Sequence, residues 1–159
     1  MIKVGDSIPS MKLTAATADG PKETSTDEVF GGKKVVLFAV PGAFTPTCSV
    51  RHLPGYLQNL GAMHEKGVDT VACLAVNDGF VMAAWAKDQA VDGRIEMLAD
   101  GSGAFTKALG LELDLTARGL GIRAQRFAMV VQDKHVVSIS VEKPGDFDVS
   151  KAESVLAAL

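Results

Sequence analysis

A chain of 159 residues fits one domain, 1–159, and leaves little room for a second. With 47% hydrophobic and 22% charged residues it can bury a sizeable core without a disulfide or metal staple. A net charge of -3, with Lys and Arg scattered, gives no footprint for nucleic acid, and no apolar run approaches the ~20 residues of a membrane span.

Met1 to Asp6 has no apolar stretch after its basic residue, so no secretory signal is visible. The expected address is the cytoplasm, or an organelle if a targeting peptide has been removed. Residues 5–32 are turn-rich and polar, with short extended stretches such as Ser10–Leu13. Lys34–Val40 is apolar, β-branched and unbroken, which predicts a central strand buried on both faces. Pro41-Gly42 ends it. A helix is expected after Ala43–Thr47, because Val50, Leu53, Leu57 and Leu60 repeat at 3-4-3 spacing as one apolar stripe. Pro54-Gly55 falls inside the stripe and predicts a kink, and Gly67 is a suitable stop.

Val68–Val76 reads as a second buried strand. Asn77-Asp78 can cap the next helix, whose buried face would use Phe80, Val81, Ala84 and Trp85. Ile95–Leu98 is a short strand, and Asp100–Gly103 turns into a short helix ending near Gly110. Residues 111–125, rich in Gly and Arg, read as irregular. Phe127–Val131 and His135–Val141 flank Gln132–Lys134 as a hairpin, and Ser150 caps a last helix, Lys151–Leu159. This order implies a mixed sheet with parallel crossovers at the front and an antiparallel hairpin at the back. The expected fold class is α/β, a thioredoxin-like domain with an N-terminal extension.

Cys48 ends the loop Pro41-Gly42-Ala43-Phe44-Thr45-Pro46-Thr47 between a buried strand and a helix start. Ligands of open α/β sheets sit at the carboxyl ends of strands, where this loop falls. In a first helical turn, unpaired N–H groups and the helix dipole favour an anion. Holding an activated thiolate takes about 3–4 kcal/mol, and a helix end supplies about 0.3–1, up to about 2 when partly buried. A second donor or cation is therefore needed. Arg126, just before the strand at Phe127, is the candidate; Arg51, Arg118 and Arg123 are rivals that the sequence alone leaves open. The Thr45 hydroxyl could face the same pocket or stabilise the turn. Pro41 and Pro46 stiffen the loop.

Cys73, inside an apolar strand, reads as a buried, inert thiol; a resolving cysteine is the disfavoured alternative, because disulfide formation needs Cα atoms within ~7 Å. His52, one turn beyond Cys48, could form a Cys–His pair and make a cysteine hydrolase; a packed or solvated ring is the commoner role for it and for His64. A one-shot redox sensor is the other alternative. No spacing suggests a metal or a nucleotide, so no cofactor is expected.

The stretch Pro41 to Cys48 resembles the peroxiredoxin signature Pro-x3-Thr-x2-Cys. Its continuation Ser49–Gly55, with Val76–Asp78, Leu98–Asp100 and Arg126–Val131, is similar to the peroxiredoxin-5 or type II subgroup. The resemblance implies that Cys48 is the peroxidatic cysteine. Thr45 and Arg126 would bind and polarise the peroxide, Pro41 would shield the site, and Gly42, Phe44 and Thr47 would line the substrate pocket. It also implies a thiol peroxidase acting on hydrogen peroxide and small alkyl hydroperoxides, and a homodimer packed near the active-site end. Residues 141–159 contain no cysteine, so an external thiol would recycle the sulfur. Glutathione with glutaredoxin is expected first, thioredoxin second.

Overall fold

The computed structural model describes residues 1–159. The N-terminal segment is an antiparallel hairpin, β1 (Lys12–Thr17) and β2 (Gly20–Ser25), followed by a short helix, α1 (Thr26–Phe30). Ser25 caps that helix by accepting from the Glu28 N–H. The centre is a parallel trio: β3 (Lys34–Ala39), β4 (Thr70–Ala75) and β5 (Glu96–Ala99). Helices α2 (Leu53–Glu65) and α3 (Gly79–Asp88) make the two crossovers. After α4 (Ala104–Leu109) come a small hairpin, β6 (Glu112–Leu115) and β7 (Gly121–Ala124), the pair β8 (Phe127–Gln132) and β9 (His135–Val141), and α5 (Ala152–Ala158).

The seven-stranded sheet runs β2-β1-β5-β4-β3-β8-β9, while β6 and β7 form a sheet of their own. Strand β3 explains the unbroken apolar run, since successive side chains face opposite sides. Val36 and Phe38 join Tyr56, Met63 and Trp85 on one face. Val35 and Leu37 join Phe30, Phe105 and Phe127 on the other. Two packed layers thus leave β3 and β4 fully covered, and the loops at their carboxyl ends become the natural place for chemistry. No helix is long and apolar enough to cross a membrane.

The thioredoxin-like α/β class, the parallel front and the antiparallel back agree with the sequence reading. Five local expectations do not. Val50 is 73% exposed, and the buried stripe of α2 is Leu53, Tyr56, Leu60 and Met63, with His52 beside it. The irregularity expected at Pro54 lies upstream instead, as a π turn over Cys48–His52 that shifts the helical phase. Pro54 has no N–H to continue the ladder onto Val50, and the Leu53 N–H bonds the Cys48 carbonyl. Helix α3 buries Met82 and Trp85, whereas Phe80 is 75% exposed and Ala84 also faces out. Residues 111–125, read as irregular, hold the β6–β7 hairpin, whose pairing alternation is masked by Gly and Arg. Finally, Ser150 does not cap α5: Lys151 holds that position, and the Ser150 hydroxyl bonds Glu142.

Candidate active site

The chain leaves β3 beneath the loop Pro41–Thr47. The Ala43 N–H donates to Asn77 Oδ1 at 2.9 Å, which ties this loop to the one after β4. The Thr45 hydroxyl donates to the Gly42 carbonyl at 2.6 Å, closing a tight turn in which Phe44 takes a positive φ of 65°. A side chain at position 42 would meet Arg123 Nη1 at 2.8 Å, so Gly42 lets that guanidinium approach. Arg123 Nη1 also donates to the Pro41 carbonyl at 3.4 Å. Helical backbone begins at Pro46, where a missing N–H is harmless, and Ser49 bonds back to the Thr45 carbonyl. Thr47 is half-buried, and Cys48 lies fully buried in the first turn. Its neighbour Ser49 accepts from Trp85 Nε1 at 3.0 Å.

Arg126 enters from the start of β8. Its Nη2 lies 3.1 Å from Cys48 Sγ, and its Nη1 lies 2.8 Å from His52 Nδ1. Arginine can only donate, so His52 Nδ1 accepts. The ring proton must then sit on Nε2, which donates to the Ser150 carbonyl at 3.1 Å. Tyr56 donates its hydroxyl to the same carbonyl at 2.7 Å and stacks on Phe38. Phe147 covers the group: Arg51 lies 4.7 Å over its ring, Arg126 5.8 Å, and His52 meets it edge-on.

Residues 3–156 match the Redoxin family. Peroxiredoxin-2B of Arabidopsis thaliana is 45% identical over 159 residues, covering 99% of this chain and 98% of that protein. Peroxiredoxin-2C of Oryza sativa subsp. japonica is 47% identical over 161 residues, covering 99% and 98%. The crystal structure of reduced Prx3 in complex with H2O2 from Vibrio vulnificus superposes with a TM-score of 0.94 at 50% identity, covering 99% of each chain. Peroxiredoxin 5 from Alvinella pompejana gives 0.87 at 40% identity, covering 99% and 97%. The chain belongs to the peroxiredoxin family. Its activity is thiol-dependent, cysteine-based reduction of peroxide.

Of the four arginines that competed on sequence, only Arg126 reaches the sulfur of this peroxiredoxin. Arg123 braces the loop, Arg51 lies over Phe147, and Arg118 is exposed in the β6–β7 turn. His64, at the far end of α2, donates from Nδ1 to the Val68 carbonyl. His52 has no lone pair free to act as a base, which removes the Cys–His pair a cysteine hydrolase needs. Burial, reinforced by the Arg126 charge, pushes its pKa from 6.5 down to about 3, so the ring is neutral near pH 7.

That shift has a sign that equilibrium unfolding can check. An unfolded chain protonates His52 near 6.5, and the folded chain resists until about 3. Stability carried by the neutral ring is complete above 6.5 and is lost as pH falls, at up to about 1.4 kcal/mol per pH unit. We expect urea unfolding of His52→Phe to show a shallower decline between pH 6 and 4 than the parent chain. Equal slopes would mean that His52 titrates normally in the fold.

Cys73 is fully buried on β4, opposite Phe38 of β3. Burial pushes its thiol well above the ordinary value, and the nearby Cys48 adds to the effect. It is therefore a protonated, weak nucleophile in the folded state. Sequence reasoning missed Tyr56, Phe147 and Ser150. Tyr56 stands one turn beyond His52 and was within reach of a spacing argument. The other two come from a loop almost 100 positions away and carry no local signal.

Proposed function

We propose that Cys48 is the attacking cysteine of this peroxidase and that Arg126, Thr45 and Pro41 complete its site. The Arg126 Nη2 to Cys48 Sγ distance of 3.1 Å carries the reading. The thiolate attacks one peroxide oxygen and the O–O bond breaks. Sulfur keeps that oxygen as a sulfenic acid, and the second oxygen leaves with the bonding pair, taking a proton to become water or an alcohol. A guanidinium already aimed at the sulfur is placed to stabilise charge on the leaving oxygen. Thr45, its proton held by the Gly42 carbonyl, keeps lone pairs that can accept the substrate hydroxyl. Pro41, Gly42, Phe44 and Thr47 shape the rim, limiting substrates to hydrogen peroxide and small alkyl hydroperoxides.

In this reading residues 1–159 act as one domain in the cytoplasm and reduction comes from outside the chain. Glutathione with glutaredoxin is the first choice of donor and thioredoxin the second, because Cys73 is the sole other cysteine and is sealed in the core. A homodimer packed at the active-site end is supported by exposed apolar side chains there. Phe44 is 52% exposed, Phe80 75% and Ile122 45%, each within three residues of a group that holds the loop. Turnover tests the reading: we expect many peroxides consumed per chain with glutathione and glutaredoxin. One equivalent followed by arrest under both donor systems would contradict the proposed recycling route and favour a sensor that reacts once.

A further inference from the structure

We propose that Glu142 is a positioning residue for peroxide reduction, acting on Arg126 through the Ser150 carbonyl and His52. The proposal rests on Cys48 and Arg126 being the reacting pair. Glu142 directly follows β9 and is 7% exposed. Its N–H donates to the Arg126 carbonyl at 2.9 Å, which fixes the backbone of the arginine. Its Oε2 accepts from the Asp148 N–H at 2.7 Å, the Ser150 N–H at 2.9 Å and the Ser150 hydroxyl at 2.6 Å. Burial alone would raise its pKa, but the bonds from Ser150 and Asp148 outweigh it and hold the group below the usual carboxylate range.

One carboxylate oxygen thus gathers the end of a loop, 143–150, that has no helix or strand of its own. That loop delivers two groups to the site. The Ser150 carbonyl takes the Nε2 proton of His52, which leaves Nδ1 as the acceptor for Arg126. Phe147 packs against Arg51, His52 and Arg126. Without the Ser150 carbonyl, the ring could carry its proton on Nδ1 and turn a donor toward a donor. The guanidinium would then lose one of the two contacts that aim it at Sγ. A misplacement of about 1 Å can lower a rate about 10²-fold.

A purely structural clamp predicts something else: lower stability with unchanged chemistry per folded molecule. Two rates on the reduced full-length protein separate these cases: single-turnover peroxide reduction and alkylation of Cys48 by iodoacetamide. Both need the thiolate, so their ratio cancels its amount and reports the help given to the leaving oxygen. We expect Glu142→Ala to lower peroxide reduction about 30-fold and the ratio at least about tenfold. Glu142→Gln should stay within about threefold, since its amide oxygen can take the N–H donors. In a His52→Phe background, Glu142→Ala should add less than about twofold, because both act along one line. An unchanged ratio, or effects that multiply independently, overturns the inference. Should Glu142→Ala not fold, Ser150→Ala removes one of the three donors and should lower the ratio about threefold; no change there overturns it equally. A Cys48→Ser protein that still consumed peroxide would instead refute the assignment of the reacting cysteine.

Discussion

Cys48→Ser is expected to reduce peroxide at least about 10⁴-fold more slowly than the parent chain, while Cys73→Ser stays within about threefold when glutathione and glutaredoxin are supplied. The asymmetry follows from where each sulfur lies. Sγ of Cys48 sits at a helix start, 3.1 Å from a guanidinium nitrogen. A serine hydroxyl there remains protonated near neutrality, and Arg126 does not overcome that. Cys73 lies in the middle of β4, paired with Phe38 of β3 and Met97 of β5, with no exposed surface. Burial also keeps its thiol protonated and weakly nucleophilic. Serine at position 73 buries a hydroxyl, so its melting temperature should fall, by the equivalent of about 1–3 kcal/mol, without the rate following. Equal loss of turnover in both variants, each confirmed folded, would show that Cys73 closes the cycle.

The core strands were legible because burial on both faces writes an unbroken apolar run, as in Lys34–Ala39 and Thr70–Ala75. The setting of Cys48 was legible because it is local: strand, Pro-Gly turn, helix start. Arg126 was legible only as one of four, since which arginine arrives depends on how β8 pairs with β3. The face of α2 was misread for a definite reason. A 3.6-residue repeat assumes a regular helix, and the π turn over Cys48–His52 adds a residue to that turn. The phase slip exposes Val50 and buries His52. The same slip brings His52 to Arg126, so the residue that broke the pattern is part of the site. Ser150 was misread because a serine before a helix usually caps it; a buried carboxylate eight residues upstream competed for the hydroxyl. Nothing within a short window announces that competition.

Arg126→Lys is expected to lower peroxide reduction about 10²–10³-fold, nearly as far as Arg126→Met. Lysine preserves the charge, so the result separates charge from shape. Arg126 uses two nitrogens of one rigid plane, Nη2 toward Cys48 Sγ and Nη1 toward His52 Nδ1. A single ammonium on a flexible stem cannot hold both contacts and still direct a donor at a departing oxygen. His52 would report the loss independently. Burial lowers its pKa first and the Arg126 charge second, so Arg126→Met should raise it from about 3 while Arg126→Lys should raise it less. Imidazole proton resonances followed against pH would read this directly. A lysine variant with near-parental activity would mean that a point charge is sufficient here. The His52 contact would then be packing rather than aim, and the fork geometry would lose its place in the mechanism.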